Sequence, residues 1–187
     1  MLGLALLRAV VGGLFMGHGL QKLIGWFEGH GLQATGESFE AMGLRPGKAH
    51  ATAAGLSETA GGALVAAGLL TPLGASLLSG TMITAIRKVH AANGVWVSKG
   101  GYEYNLVLLA AVFAITDVGP GRLSLDEAFG VRRSGPGWAI AQLLAGAAGS
   151  WVAVRVGERQ PLPPAQSADG RAEPAEEPAS RPQGTAA

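Results

Sequence analysis

Glu58 is the single charged residue in an apolar run that covers residues 51–70. A carboxylate among hydrocarbon is unfavourable unless it is neutral, paired or hydrated. It must therefore find company, with Arg87 or Lys22 as the cationic candidates, or carry a proton. His18, Gln21 and Lys22 are spaced i, i+3, i+4, which puts them on one side of a helix. Farther on, the stretch HAANGVWVSKGGYEYN, residues 90–105, concentrates polar and aromatic side chains between two oily runs. Glu58 and His18 are the groups suited to moving a proton. Gln21, Lys22, Arg87, Asn93, Tyr102, Glu103, Tyr104 and Asn105 are suited to hydrogen-bonding a bound polar group. The plainer alternatives are a structural ion pair at Glu58, snorkelling cations at Lys22 and Lys88, and an aromatic belt built from the Trp and Tyr residues.

The elements that position these groups follow from hydropathy. A membrane helix needs about 20 mostly apolar residues. Runs 2–20, 51–70, 73–89, 104–118 and 138–154 meet or approach that length with few charges. Charged residues make up 14% of the 187 residues, against about 25% in an ordinary soluble domain. A soluble bundle with five such runs would have few polar faces left for water, so the expectation is an all-α, polytopic membrane helical bundle. Four helices (residues 1–130) form its core, and residues 131–156 add a fifth transmembrane helix. Residues 157–187 hold six of the ten prolines and no aromatic; this composition does not support a packed core and reads as a disordered tail. Thr71-Pro72 alone joins the second and third runs, predicting a tight antiparallel hairpin with Pro72 in the first turn of the next helix. Gly13-x-x-x-Gly17, Ser57-x-x-x-Gly61, Ser76-x-x-x-Gly80 and the Ala141, Ala145, Gly149 series offer small-residue faces for close helix contact.

Up-and-down folding sorts the polar residues. His18, Gln21, Lys22, Glu58, Arg87, Lys88, His90, Asn93 and the Tyr102–Asn105 group collect toward one membrane face. Glu58 lies seven residues into its run, roughly 10 Å deep. The opposite face carries little beyond Asp117 and Arg8, and Arg8 either snorkels or pairs with Asp117. His30 and His50 read as surface residues of the first loop.

Other chemistries lack support. A net charge of +1 gives no basic face for nucleic acid. The chain has no cysteine, which excludes disulfides, thiolate metal sites and intrinsic dithiol redox chemistry. His18, His90 and Glu58 could meet, but no paired-His spacing supports a metal, and no c-type haem motif is present. With no phosphate loop and no nucleophile elbow either, there is no self-contained catalytic motif.

Four stretches, GHGLQKL (17–23), ETAGGALVAAGLLTPLGA (58–75), NGVWVSKGGYEYNLVLL (93–109) and GPGRLSLDEAFG (119–130), resemble in order the DoxX family of small bacterial membrane proteins. The resemblance covers residues 1–130. It implies a four-helix core in the bacterial plasma membrane, and a site at His18, Gln21, Lys22, Glu58, Tyr102, Glu103, Tyr104 and Asn105. It also implies a role beside redox enzymes, since some members look like subunits of a thiosulfate:quinone oxidoreductase or like partners of superoxide dismutase and a sulfurtransferase. The fifth span and the tail depart from that pattern.

The leading functional expectation is a subunit of a membrane oxidoreductase system whose pocket binds a quinone, with no metal or haem. A non-catalytic scaffold for redox enzymes and a small-solute carrier stand as alternatives. The bilayer is the expected partner, and a homo-oligomer is compatible with the small-residue faces.

Overall fold

A computed structural model describes residues 2–159; the tail expected from residue 160 onward lies outside the described residues. Among the described residues the fold is all-helical. Helices α1 (Leu2–Ile24), α2 (Gly31–Ala41), α3 (Gly47–Ala67), α4 (Thr71–Ala85), α5 (Glu103–Val118), α6 (Leu125–Ala128) and α7 (Pro136–Glu158) follow one another with short connections. The long ones alternate in direction, so α1, α4 and α7 end where α3 and α5 begin. That end, where α2 also lies, is called the loop face below, and the opposite end the base.

Local chemistry sets the breaks. α1 stops at Gly25, whose φ of 73° lies in the left-handed region that ends helices. α3 stops at Gly68 (φ 63°), and the Leu69 N–H returns to the Leu64 carbonyl at 2.9 Å, closing a Schellman-type cap. Leu70 is left-handed as well, at φ 45°, and α4 opens one residue later with Pro72 in its first turn, so the expected tight hairpin forms. At its far end α4 runs into a π turn, Ile86–His90, then a 3₁₀ turn, Ala91–Asn93.

The core is Val11 and Phe15 of α1, Val65 of α3, Ala75 and Leu78 of α4, and Leu108, Val112 and Ile115 of α5. Glycine sets the helix spacing. A Cβ on Gly12 would overlap the Gly62 carbonyl, and one on Gly19 would overlap Thr59 and the Gly55 carbonyl. The α1 and α3 backbones therefore touch in one antiparallel register. Gly61 meets Gly74 of α4, and Gly80 of α4 meets Gly146 of α7. The expected face at Ser76 and Gly80 is used, whereas Gly13, Gly17 and Gly149 look into open space. The contact stripe on α1 is one residue out of phase with the expected one.

α1 and α7, at 23 residues each, are long and apolar enough to cross a membrane. α3, at 21 residues, is diluted by Lys48, Thr52, Ser57, Glu58 and Thr59; α4 and α5 are shorter, at 15 and 16 residues. The exterior is nonetheless oily over several helices. Leu6 and Val10 of α1, Leu106 and Val107 of α5, and Ile140, Leu144 and Val152 of α7 all point outward. Soluble monomers rarely expose contiguous apolar surface on this scale, and a lipid-facing bundle requires it.

The base is built around charge, contrary to the nearly bare face expected there. Arg8 is buried (3% exposed). It reaches neither the interface nor Asp117, because its guanidinium donates to the carbonyls of Pro120 and Leu123. Asp126, 1% exposed, accepts from the Leu70 N–H at 2.8 Å, the Thr71 N–H at 3.0 Å and the Thr71 hydroxyl at 2.7 Å. It thus caps α4 from the short helix α6, placing a carboxylate at the positive end of α4. The segment between α5 and α7 is in this way fastened beneath the bundle.

Candidate functional site

Glu58 is the twelfth residue of α3, since that helix already begins at Gly47. It lies roughly 16 Å along the helix axis and so deeper than expected. Its side chain faces the bundle, and the residue is 4% exposed. Lys22 Nζ of α1 donates to Glu58 Oε2 at 2.6 Å and to the His18 carbonyl at 3.3 Å. The α1–α3 glycine contacts explain the reach, because two backbones that touch at Gly19 and Gly55 bring the adjoining side chains together. Of the two cations considered for Glu58, the partner is Lys22. Arg87 is exposed, and its guanidinium lies 3.4 Å from Ser150 Oγ on α7.

The pair borders a cavity of about 580 Å³ opening among α1, α2, α3, α4, α5 and α7. Its wall is largely aliphatic or small: Leu14, Phe15, Leu77, Met82, Leu108, Ala145, Gly146 and Ala153. Into this surface project His18, Lys22, Glu58, Tyr104 and Asn105 from the expected set, together with Lys88 and His90. Asn105 is buried, and its amide donates to Met82 Sδ at 3.3 Å. The volume is that of a small-molecule site, and an apolar wall with a few converging polar groups is the usual make-up of one.

The remaining expected residues lie elsewhere. Asn93 Nδ2 donates to the Gly100 carbonyl at 3.2 Å, which also lies 2.7 Å from His90 Nδ1. Glu103 Oε2 accepts from the Val97 N–H at 3.0 Å. These side chains hold the 91–102 connection in shape, and Tyr102 stands at the start of α5 without a side-chain cap. Much of the polar content of that stretch is consumed within the loop itself. Gln21 borders a second, smaller recess with Lys22.

Two sets of lining residues were not expected. His50, read as a surface residue, is half-buried, lies 3.2 Å from the Arg45 carbonyl through Nε2, and lines the cavity. The signal was available, since His50, Ala54, Ser57 and Glu58 follow helical spacing along one face of α3. The second set is the α7 wall. Ser79 Oγ donates to Gln142 Oε1 at 2.9 Å and Thr84 Oγ1 to Ser150 Oγ at 2.9 Å, so the fifth long helix is locked to α4 and closes one side of the cavity. Among the described residues, no three His, Asp or Glu side chains converge closely enough to hold a metal ion.

No curated protein and no solved structure matches the chain. The DoxX family model matches residues 3–91, which takes in α1 to α4 and the π turn and stops before the helix carrying Tyr104 and Asn105. With that match, an oily exterior and two helices able to cross a bilayer, residues 3–91 are a DoxX family domain in a membrane-type helical bundle.

Proposed function

We propose that this protein is a multi-pass subunit of an oxidoreductase system in the bacterial plasma membrane, and that its loop-face cavity binds a quinone. In this reading α3, α4 and α5 cross the bilayer alongside α1 and α7. The observation that carries the proposal is the Lys22–Glu58 pair at 2.6 Å on the wall of an otherwise apolar cavity of about 580 Å³. A quinone is an apolar ring and tail with two carbonyl oxygens, so it needs an oily space and a few fixed donors. Lys22, Tyr104, Asn105 and His18 supply donors, and Glu58 accepts a proton. The chain has no cysteine, so electrons come from a partner oxidoreductase; superoxide dismutase- or sulfurtransferase-like proteins are the candidate neighbours in the complex.

The test is extraction of the purified protein followed by titration with a short-tailed quinone. A co-purified quinone is expected, with binding weakened at least about tenfold in Glu58→Gln, where a charged group is lost, and about two- to tenfold in Tyr104→Phe, where a neutral hydrogen bond is lost. No bound quinone and unchanged titrations in both variants would overturn it.

One observation favours the scaffold reading. Every residue of the 91–100 loop is exposed, including the apolar Val95, Trp96 and Val97. Trp96→Ala would then reduce recovery of a redox enzyme on pull-down while leaving quinone binding unchanged.

A further inference from the structure

Lys22 borders two compartments of opposite character. On one side lies the apolar cavity. On the other lies a recess of about 300 Å³ lined by Gln21, Glu28, Gly29, His30, Thr35 and Ser38 as well as Lys22, with no aliphatic or aromatic side chain among them. The recess is roofed by the turn between α1 and α2, and that turn is under strain. Phe27 and Glu28, adjacent and neither of them glycine, sit at φ 52° and 60°, where each side chain is disfavoured and persists only if its surroundings hold it. The hold is visible. Gln21 Nε2 donates to the Phe27 carbonyl at 3.1 Å, the Gly29 N–H returns to Trp26 at 3.0 Å, and Gly29 lies so close to Gln21 that a Cβ would overlap it. The turn is thereby pressed down beside Lys22, leaving a small polar chamber at the loop face.

We infer that this recess is the aqueous port of the Glu58 site: water and protons reach the Lys22–Glu58 pair through it, and the apolar ligand occupies the other side. Lys22 is the partition. Its ammonium reaches Glu58 Oε2 on the cavity side, while its flank faces Glu28 and His30 on the water side. Gln21 is a positioning residue, tying the turn to His18, whose Nδ1 lies 3.1 Å from Gln21 Oε1. The inference rests on the reading of Glu58 as a proton-accepting group, not on the identity of the ligand in the cavity.

The absence of cysteine makes the test clean, because each introduced thiol is the only one. The full chain is reconstituted in vesicles, and a charged, membrane-impermeant methanethiosulfonate is supplied to both faces. Thiol reactivity tracks ionisation and access. Lys22→Cys and Thr35→Cys are expected to react at rates within about tenfold of each other, and Ala54→Cys and Ala145→Cys, in the apolar cavity, at least about 100-fold more slowly. Thr35→Trp combined with Lys22→Cys fills the port and slows labelling at position 22 by at least about tenfold. In wild type, an impermeant sulfonated acylating reagent modifies Lys22, located by peptide mass mapping, so the result does not depend on a variant that removes the ion pair. Silence at Lys22 by both methods while Thr35→Cys reacts, or equal rates at all four thiols, would overturn the port. A short-tailed quinone should protect Ala54→Cys from an apolar maleimide and leave Thr35→Cys unprotected. Failure of that protection alone counts against the quinone and not against the port.

Discussion

Lys22 and Glu58 meet at 2.6 Å from two helices held together by glycine, and the carboxylate is the more deeply buried partner (side chain 5% exposed against 24%). Removing one member of a buried pair leaves the other uncompensated, which is worth about 3–5 kcal/mol, whereas replacing both with apolar groups is often close to neutral. Lys22→Met should therefore destabilise the protein in detergent by several kcal/mol, and Lys22→Met with Glu58→Leu should regain most of the loss. Unfolding measured by circular dichroism across the four proteins of this cycle gives the coupling. Additivity to within about 0.5 kcal/mol would show that the two groups do not interact.

A second expectation concerns the base. Asp126 satisfies two backbone N–H groups and one hydroxyl at the start of α4, and loss of a helix cap is worth about 0.5–2 kcal/mol. Asp126→Ala should reach or exceed the top of that range, because the orphaned groups are buried. Thr71→Val, which removes only the hydroxyl donor, should lose about 1 kcal/mol. Thermal unfolding of both variants checks the order, and a larger loss in Thr71→Val would contradict it.

The glycine frame makes a third, sharper test. A side chain at Gly12 or Gly62 must drive α1 and α3 apart, so Gly62→Leu should abolish stable folding or lose more than about 3 kcal/mol. Gly13→Ala and Gly17→Ala add a methyl to open space and should leave stability unchanged or raise it by up to about 1 kcal/mol, the propensity gap between the two residues. Equal damage in the two sets would mean that the helices pack on the other face.

The limits of sequence reading are visible in these same residues. That Glu58 would turn inward and take a cation from a neighbouring helix was legible, because hydrocarbon offers no alternative to pairing or neutralisation. Which cation was not, since Lys22 and Arg87 both sit at span ends on the same face and only the α1–α3 register separates them. Gly12 and Gly13 are equally plausible contacts in a chain with 30 glycines; composition carries no phase. The role of Asp126 has no local signal, because its partners, Leu70 and Thr71, are more than fifty residues away. His50 was missed for a related reason. The apolar run begins at residue 51, while the helix starts at Gly47 and carries His50 onto the Glu58 face.

Arg8 is the last case: it neither snorkels to the interface nor pairs with Asp117. Its guanidinium instead serves as an internal donor, reaching the carbonyls of Pro120 and Leu123 together. A planar fork can bridge two acceptors in this way, and a lysine ammonium on a flexible stem does so poorly. Arg8→Lys should then lose about 1–3 kcal/mol despite retaining the charge, and Arg8→Met more, because the buried Pro120 carbonyl and the part-buried Leu123 carbonyl are left without a donor. Both variants should also loosen the segment that carries Asp126, so limited proteolysis should cut between residues 119 and 135 faster than in wild type. The loop-face cavity, at the other end of the helices, should keep its ligand affinity. If Arg8→Lys instead matched wild type in both unfolding and proteolysis, the base would be held by packing alone, and the arginine would be dispensable.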